Sequence, residues 1–293
     1  MSRIAYVNGR YVPHMEAAVH VEDRGYQFAD GVYEVFGIHG GKLIGEKGHM
    51  DRLNHSLGEL SIAWPMSRRA LAVIIREMAR RNRVRDGIIY LQVTRGVAKR
   101  DHPFPDDAES SLVLTARRGP PLDKKVMGAG VAVITIPDIR WKRHDIKSVS
   151  LLPNILGKQQ AREAGAYEAW MVDDDGLVTE GTSSNAWIVT KDGELVTHNV
   201  SHAILNGITR LSVLEAASKA GVRFTERPFS VDEAMQAKEA FITSSTSHVK
   251  AVTSIDGESV GNGHAGELTN RLIDLYVDFI EGPGGPRNTD SWN

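Results

Sequence analysis

The sequence predicts an α/β chain folded as two lobes that part near residue 120. Three observations carry this. Short β-prone runs alternate with amphipathic helical runs along most of the chain. The stretch 119-GPPLDKK-125 holds two prolines, a glycine and charge, with little that could pack, as a linker would. Beyond it the rhythm changes, and a strand at 131-VAVITI-136 leads past Lys147 to a helix. The expected divisions are a small α+β lobe at 1–118, a linker at 119–125, a larger α/β lobe at 126–281 and a disordered tail at 282–293.

The elements follow in order. Asn8-Gly9, between two β-prone runs in 5-AYVNGRYVP-13, suits a type I′ hairpin. A second hairpin is expected in 32-VYEVFGIHGGKLIG-45, turning at Gly40-Gly41. Met50, Leu53, Leu57 and Leu60 recur at helical spacing and predict a helix over 48–60. Ser67 is placed to cap a second helix over 67–84. Strands are expected at 88–96 and 111–118, then at 131–136. A helix over 155–165 precedes strands at 167–173 and 185–190, with Asp173–Gly176 as the turn after the first. A helix opens after Gly207 and runs to about Gly221; a short one follows at 231–237, a strand at 239–244 and an amphipathic helix at 267–280.

Composition narrows the function. The chain has 293 residues, 41% hydrophobic and 25% charged, with a formal net charge of −2. That balance gives no long-range pull toward nucleic acid or an anionic membrane. The basic runs at 80–85 and 140-RWKR-143 read as solvated faces. No cysteine is present, which excludes disulfides, thiol nucleophiles and Cys-ligated metals. The first residues, MSRIAYVNGRYVPH, carry no long apolar run; neither a signal peptide nor a membrane span is expected, and the cytoplasm is the expected compartment.

Four features of the later half could carry chemistry. Lys147, in 144-HDIKSVSLLPN-154, lies beside apolar residues, where lost hydration would lower an amine's pKa and free its lone pair. Gly207, Ile208 and Thr209 open a helix, whose unpaired amides and dipole suit a phosphate. The run 243-TSSTS-247 offers several hydroxyl donors. Glu180, in 179-TEGTSSN-185, is a carboxylate a turn could fix. Taken alone, each reads as an ordinary surface residue, helix start or polar loop. Together they describe a ligand with an aldehyde, a phosphate and a ring nitrogen, which is pyridoxal 5′-phosphate. His198 and His202 stand four apart but sit in loop-like sequence without a third ligand, and 173-DDD-175 reads as turn residues; no metal is expected.

The ordered motifs DIKS, EAGAYEA, VTEGTSSNAWIV, LNGITR and FITSSTS, with 22-EDRGYQFADGVYEVF-36, 49-HMDRLNHSL-57 and 91-LQVTRGVAKRDHPFP-105 upstream, resemble the fold type IV pyridoxal-phosphate enzymes. The resemblance covers about residues 3 to 280. It implies a small α+β N-terminal lobe and a larger lobe with a barrel-like sheet. EGTSSN stands where branched-chain aminotransferases read EGAGEN, and DIKSVS where aminodeoxychorismate lyases read a KHLNR-type motif. Both departures point to the D-amino-acid branch; (R)-selective amine transaminases share the same cofactor site.

The resemblance implies roles for individual residues. Lys147 matches the lysine that joins the cofactor aldehyde, and Glu180 the acid on the pyridine nitrogen. Arg52 matches the arginine on the phosphate. Gly207, Ile208 and Thr209 match the phosphate-binding helix start, and Ser244, Ser245 and Thr246 the loop that completes it. Leu205, Ser183 and Ser184 match positions along the ring. Tyr33, Arg100 and His102 match the family's trap for a substrate carboxylate. The implied reaction is ping-pong transfer of an amino group from a D-amino acid such as D-alanine to 2-oxoglutarate, by a homodimer.

Overall fold

The computed structural model describes residues 3–282. The tail expected from 282 onward lies, Gly282 apart, outside the described residues. These residues form two compact units. The first runs to Leu122 and also includes Ile146–Ser150; the second holds Asp123–Asp145 and resumes at Leu151. The sequence places 146–150 in the later lobe, but main-chain bonds and the burial of Ile146 in the first core tie it to the first unit.

In the first unit, β1 (Ile4–Val7), β2 (Arg10–Pro13), β3 (Gly31–His39), β4 (Lys42–Leu43), β5 (Gly87–Thr94) and β6 (Ser111–Arg118) form an antiparallel sheet. Its order is β2-β1-β6-β5-β3-β4. Both expected hairpins close as type I′ turns, with φ of 42° and 88° at Asn8 and Gly9 and 56° and 82° at Gly40 and Gly41. A short helix, α1 (Arg24–Phe28), capped by Asp23, precedes β3. Two longer helices, α2 (Glu46–Glu59) and α3 (Arg68–Arg81), pack on the sheet. In α2, Met50, Leu53 and Leu57 fall on one face and are buried. The Ser67 hydroxyl accepts from the Ala70 amide at 3.2 Å and starts α3. Phe36, Leu53, Ile75, Leu91 and Leu114 are fully or almost fully buried in this core.

The second unit opens with α4 (Lys124–Gly128), capped by Asp123, so helix begins inside the stretch expected as linker. Then come β7 (Val131–Pro137), α5 (Leu152–Glu163), β8 (Glu168–Val172), β9 (Val178–Gly181), β10 (Asn185–Val189) and β11 (Leu195–Thr197). They are followed by α6 (Ile208–Lys219), β12 (Phe224–Glu226), α7 (Val231–Met235), β13 (Glu239–Ser244), β14 (His248–Ile255), β15 (Glu258–Ser259) and α8 (Glu267–Glu281). The sheet order is β12-β11-β10-β13-β14-β7-β8-β9, with β15 paired to β14. The end strand β9 runs within three residues into β10, far along the order, and Gly181 N–H donates to the Ser184 carbonyl at 2.7 Å. The sheet therefore curls back on itself as a half-barrel.

Helix α5 starts three residues before the expected position, because Pro153 sits in its first turn, where its missing N–H costs nothing. Helix α6 is buried around most of its circumference and packs against α8. Glu239 caps α8, accepting from Leu268 N–H at 3.0 Å and Thr269 N–H at 2.7 Å. Strands β9, β11, β12, β14 and β15 carry no clear signal in the sequence. They are short, or fully buried without alternation, or follow directly on a polar loop.

Candidate active site

In the first unit, Lys147 is not a loose surface residue. Its N–H donates to the Ser56 hydroxyl at 3.1 Å, and its carbonyl accepts from Tyr33 N–H at 3.0 Å. Val149 N–H donates to the Gly31 carbonyl at 3.0 Å, and Ser148 bridges Val32. The main chain is thus stitched to α2 and to the start of β3 on both sides of the lysine. The half-buried side chain lies over the Tyr33 ring, with Nζ 4.2 Å from its centroid, and Tyr33 in turn stacks on Tyr90. Among the described residues no carboxylate lies within ion-pair distance of this amine. Burial, with the neighbouring Tyr33, pushes the Tyr90 phenol up to about 12.

Arg52, on α2, points to the same strand. Its Nε donates to Glu34 Oε1 and its Nη2 to Glu34 Oε2, each at 2.8 Å. His49 Nδ1 reaches Glu34 Oε2 at 2.7 Å. Burial alone would raise the Glu34 pKa, but Arg52 and then His49 override it and hold the carboxyl down at about 2. An ionised carboxylate only accepts, so His49 carries its proton on Nδ1. This buried triad has no signal in the sequence: Glu34 and Arg52 are 18 residues apart on different elements.

Arg100 and His102 lie exposed on an irregular loop of the same unit. The Arg100 guanidinium sits 4.9 Å from the centroid of Phe28, and the His102 ring 5.6 Å from it. Buried Arg24 holds the loop's main chain, donating to the carbonyls of Asp101 at 2.6 Å and His102 at 3.2 Å. Arg24 and Arg95 share the Asp30 carboxylate.

In the second unit, Glu180 lies on strand β9 rather than in the turn expected for it. Its carboxylate accepts from Arg140 Nη1 at 2.5 Å, and from Asn185 Nδ2 and Leu205 N–H, each at 3.1 Å. Arg140, read from the sequence as part of a solvated basic run, is buried instead, its side chain 7% exposed. It also grips Asp138, with Nε to Oδ1 at 2.9 Å and Nη2 to Oδ2 at 2.7 Å. Burial works against the Asp138 charge, but bonds from Arg140 and Thr179 hold its pKa down at about 2.

Ser183 and Ser184 turn their hydroxyls to buried Glu168, at 2.8 and 3.2 Å, and Thr182 also donates to it. Gly207 is the N-cap of α6, and no side chain caps that end. A Cβ on Gly207 would lie 2.1 Å from Asn185 Oδ1, so a larger residue there would displace the Asn185 side chain that bonds Glu180 and the Leu205 carbonyl. Ile208 and Thr209 form the first turn, and half-buried Leu205 stands just before it. In the loop joining β13 to β14, Ser244 Oγ accepts from the amides of Thr246 and Ser247 at 3.3 and 3.0 Å. The half-buried Ser245 hydroxyl has no protein hydrogen-bond partner among the described residues. His198 turns its ring to the Asn199 carbonyl, and no cluster suited to a metal ion occurs among the described residues.

Glu34 and Asp138 are the most buried of several carboxyl groups, Asp30 and Asp51 among them, whose depression on folding contributes to acid stability. Glu34 and Asp138 ordinarily titrate at 4.5 and 3.8, and both are held at about 2 in the fold. A group depressed on folding stabilises fully above its unfolded pKa, and the stabilisation disappears as pH falls through the folded one. The thermal midpoint is therefore expected to drop between pH about 4.5 and 2, with less change between pH 5 and 7. Calorimetry across that range measures it, and a flat acid limb would contradict the two ion pairs.

Comparison with known proteins adds to this geometry. The family model described as amino-transferase class IV matches residues 31–255. A D-alanine aminotransferase of Bacillus licheniformis is 46% identical over 266 residues, covering 90% of this chain and 93% of that one. One from Listeria innocua is 41% identical, covering 94% and 95%. Among solved structures, a branched-chain amino acid aminotransferase of Escherichia coli superposes with a TM-score of 0.87 at 23% identity, over 100% of this chain and 98% of that one; at that identity it speaks to the fold alone. A branched-chain aminotransferase from the archaeon Thermoproteus uzoniensis, solved with norvaline, gives 0.85 at 24% identity, over 96% and 95%, and likewise speaks to the fold.

Proposed function

The chain belongs to the amino-transferase class IV family, and from that membership we propose a pyridoxal-phosphate-dependent transaminase. It moves the amino group of D-amino acids such as D-alanine to 2-oxoglutarate. The observation that carries the reading is Lys147: an amine fixed by its own main chain, laid on an aromatic face, with no carboxylate neutralising it. The D-alanine aminotransferases at 46% and 41% identity support the D-amino-acid substrate.

The donor set suits the cofactor. The uncapped start of α6, opened by Gly207, and the unpartnered Ser245 hydroxyl are what a phosphate dianion needs. Thr209, Ser245 and Arg52 would hold the phosphate, with Ile208, Ser244 and Thr246 as neighbours. Glu180 would face the ring nitrogen, and Leu205, Ser183 and Ser184 would line the ring. When bound, pyridoxal phosphate supplies an aldehyde for amines and a ring that accepts the electron pair left when a proton departs.

The protein's own residues do the rest. Lys147 Nζ would take the proton from the α-carbon of the amino donor in the first half-reaction and deliver one to the α-carbon of the keto-acid acceptor in the second. Arg140, Asn185 and the Leu205 amide fix the Glu180 carboxylate, so its charge is in place without reorganisation. Arg100, His102 and Tyr33 bind the substrate carboxylate. The working form is a homodimer in the cytoplasm; the exposed setting of Arg100 and His102 supports the dimer, since their family counterparts serve a partner's site.

The test is a substrate panel. Purified protein with pyridoxal phosphate is expected to convert D-alanine and 2-oxoglutarate to pyruvate and D-glutamate, with ping-pong kinetics. Turnover only of L-branched-chain amino acids, or only of amines lacking a carboxylate, would reject the D-amino-acid reading.

A further inference from the structure

The loop that joins β5 to β6, residues 95–110, carries Arg100 and His102 exposed at its surface. A connection of that length, with no strand or helix of its own, holds one shape only where something ties it. Its base is tied closely: Gly96 has φ of 97°, and a Cβ there would overlap the Glu109 carbonyl. Farther out, the tie is a side chain. Arg24 is 3% exposed, although residues 101 and 102 are exposed. Its Nη1 donates to the Asp101 carbonyl at 2.6 Å, its Nη2 to the His102 carbonyl at 3.2 Å and its Nε to Asp30 Oδ2 at 2.8 Å. A guanidinium holds its donors in a rigid planar fork, so these bonds fix both the place and the tilt of the main chain at 101 and 102. The rings and cations above it share a second support: Arg24 Cζ lies 4.8 Å and Arg100 Cζ 4.9 Å from the Phe28 centroid, with the His102 ring at 5.6 Å.

Arg24 is itself held. Asp30 also accepts from Arg95, Nε to Oδ2 at 2.7 Å and Nη2 to Oδ1 at 3.0 Å. Arg95 in turn donates to the carbonyls of Leu60 and Ser61, just past the end of α2, at 2.7 and 3.1 Å. The carboxylate is therefore fixed by Arg95, and Arg24 carries that position outward to residues 101 and 102. Burying a charge is costly, and an apolar side chain would fill the same space at less cost. What an apolar residue could not do is grip two carbonyls of an exposed loop.

We propose that Arg24 is a positioning residue for the substrate: its bonds to the Asp101 and His102 carbonyls set Arg100 and His102 at the spacing that receives an α-carboxylate. This rests on the reading that Arg100 and His102 bind that carboxylate. The amino donor and the keto-acid acceptor use the same trap in turn, so Arg24 governs the affinity of both and the rate of neither chemical step.

The experiment is steady-state kinetics of the full-length holoenzyme, with D-alanine and 2-oxoglutarate each varied. Arg24→Lys keeps a charge beside Asp30, but its single nitrogen cannot span the carboxylate and two carbonyls. It is expected to raise the half-saturating concentrations of both substrates by about tenfold, by the same factor, with a limiting rate within about twofold of wild type. The visible absorbance of the bound cofactor, which a disturbed fold would lose, is expected to stay as in wild type. In a variant with Arg100 and His102 both changed to alanine, Arg24→Lys is expected to add nothing. If the wild type does not turn over this pair, the proposed function fails and the role of Arg24 with it. If the alanine variant leaves both half-saturating concentrations as in wild type, the carboxylate trap is misassigned. If the alanine variant raises them but Arg24→Lys does not, or if Arg24→Lys instead lowers the limiting rate or loses the cofactor absorbance, the positioning role alone is overturned.

Discussion

Replacing Lys147 with alanine is expected to lower transamination by roughly 10⁴-fold or more, because on the proposed reading one change removes both the nucleophile and the base. The purified variant should also lose the yellow colour expected of the wild type with bound cofactor. Its fold should survive. The bonds that fix residue 147 run through its N–H and carbonyl, which alanine keeps, and only the contact with Tyr33 disappears, at about 0.5–1 kcal/mol. Lys147→Arg separates charge from chemistry: it keeps a cation over Tyr33 and is expected to be as inactive as alanine. Turnover within tenfold of wild type in either variant would make Lys147 a structural cation and end the transaminase reading.

The largest stability effect is expected at Glu34. Glu34→Gln leaves the Arg52 guanidinium buried without its counter-charge, since that side chain is only 9% exposed and one of its two donors to residue 34 then faces an amide NH2 instead of an acceptor. Breaking a buried pair from one side costs about 3–5 kcal/mol. Denaturant unfolding reads the loss directly. Replacing Glu34, His49 and Arg52 together with apolar residues of similar size should cost less than the single change, because no charge is then left unpaired. A single variant as stable as wild type would mean that water, rather than Glu34, solvates Arg52.

Local chemistry was readable in the sequence where a few neighbouring residues decide the outcome. The Asn8-Gly9 and Gly40-Gly41 turns, the Ser67 cap and the apolar face of α2 all form as the residues predict. The motifs around Lys147, Glu180 and Thr209 were equally visible as candidates. Their settings were not. Arg140 looked like part of a solvated run, yet it is buried against Glu180, 40 residues away. Glu180 looked like a turn acid because the small residues after it hide the strand it ends. Ser183 and Ser184 were read only as positions along a ring, and their bonds to Glu168 had no local signal. In each case the partner is chosen by sheet pairing, which no local pattern encodes.

The return of Ile146–Ser150 to the first unit bears on the order of synthesis. When the ribosome has released residues only as far as Leu122, the first unit still lacks the segment that bonds Gly31, Tyr33 and Ser56. Residues 123–145, 23 in all, must emerge before that segment arrives, and they belong to the other unit. The nascent N-terminal part therefore waits with one seam open, and the segment that closes it carries Lys147. A chain truncated before residue 146 would lack the finished seam and the lysine proposed to react.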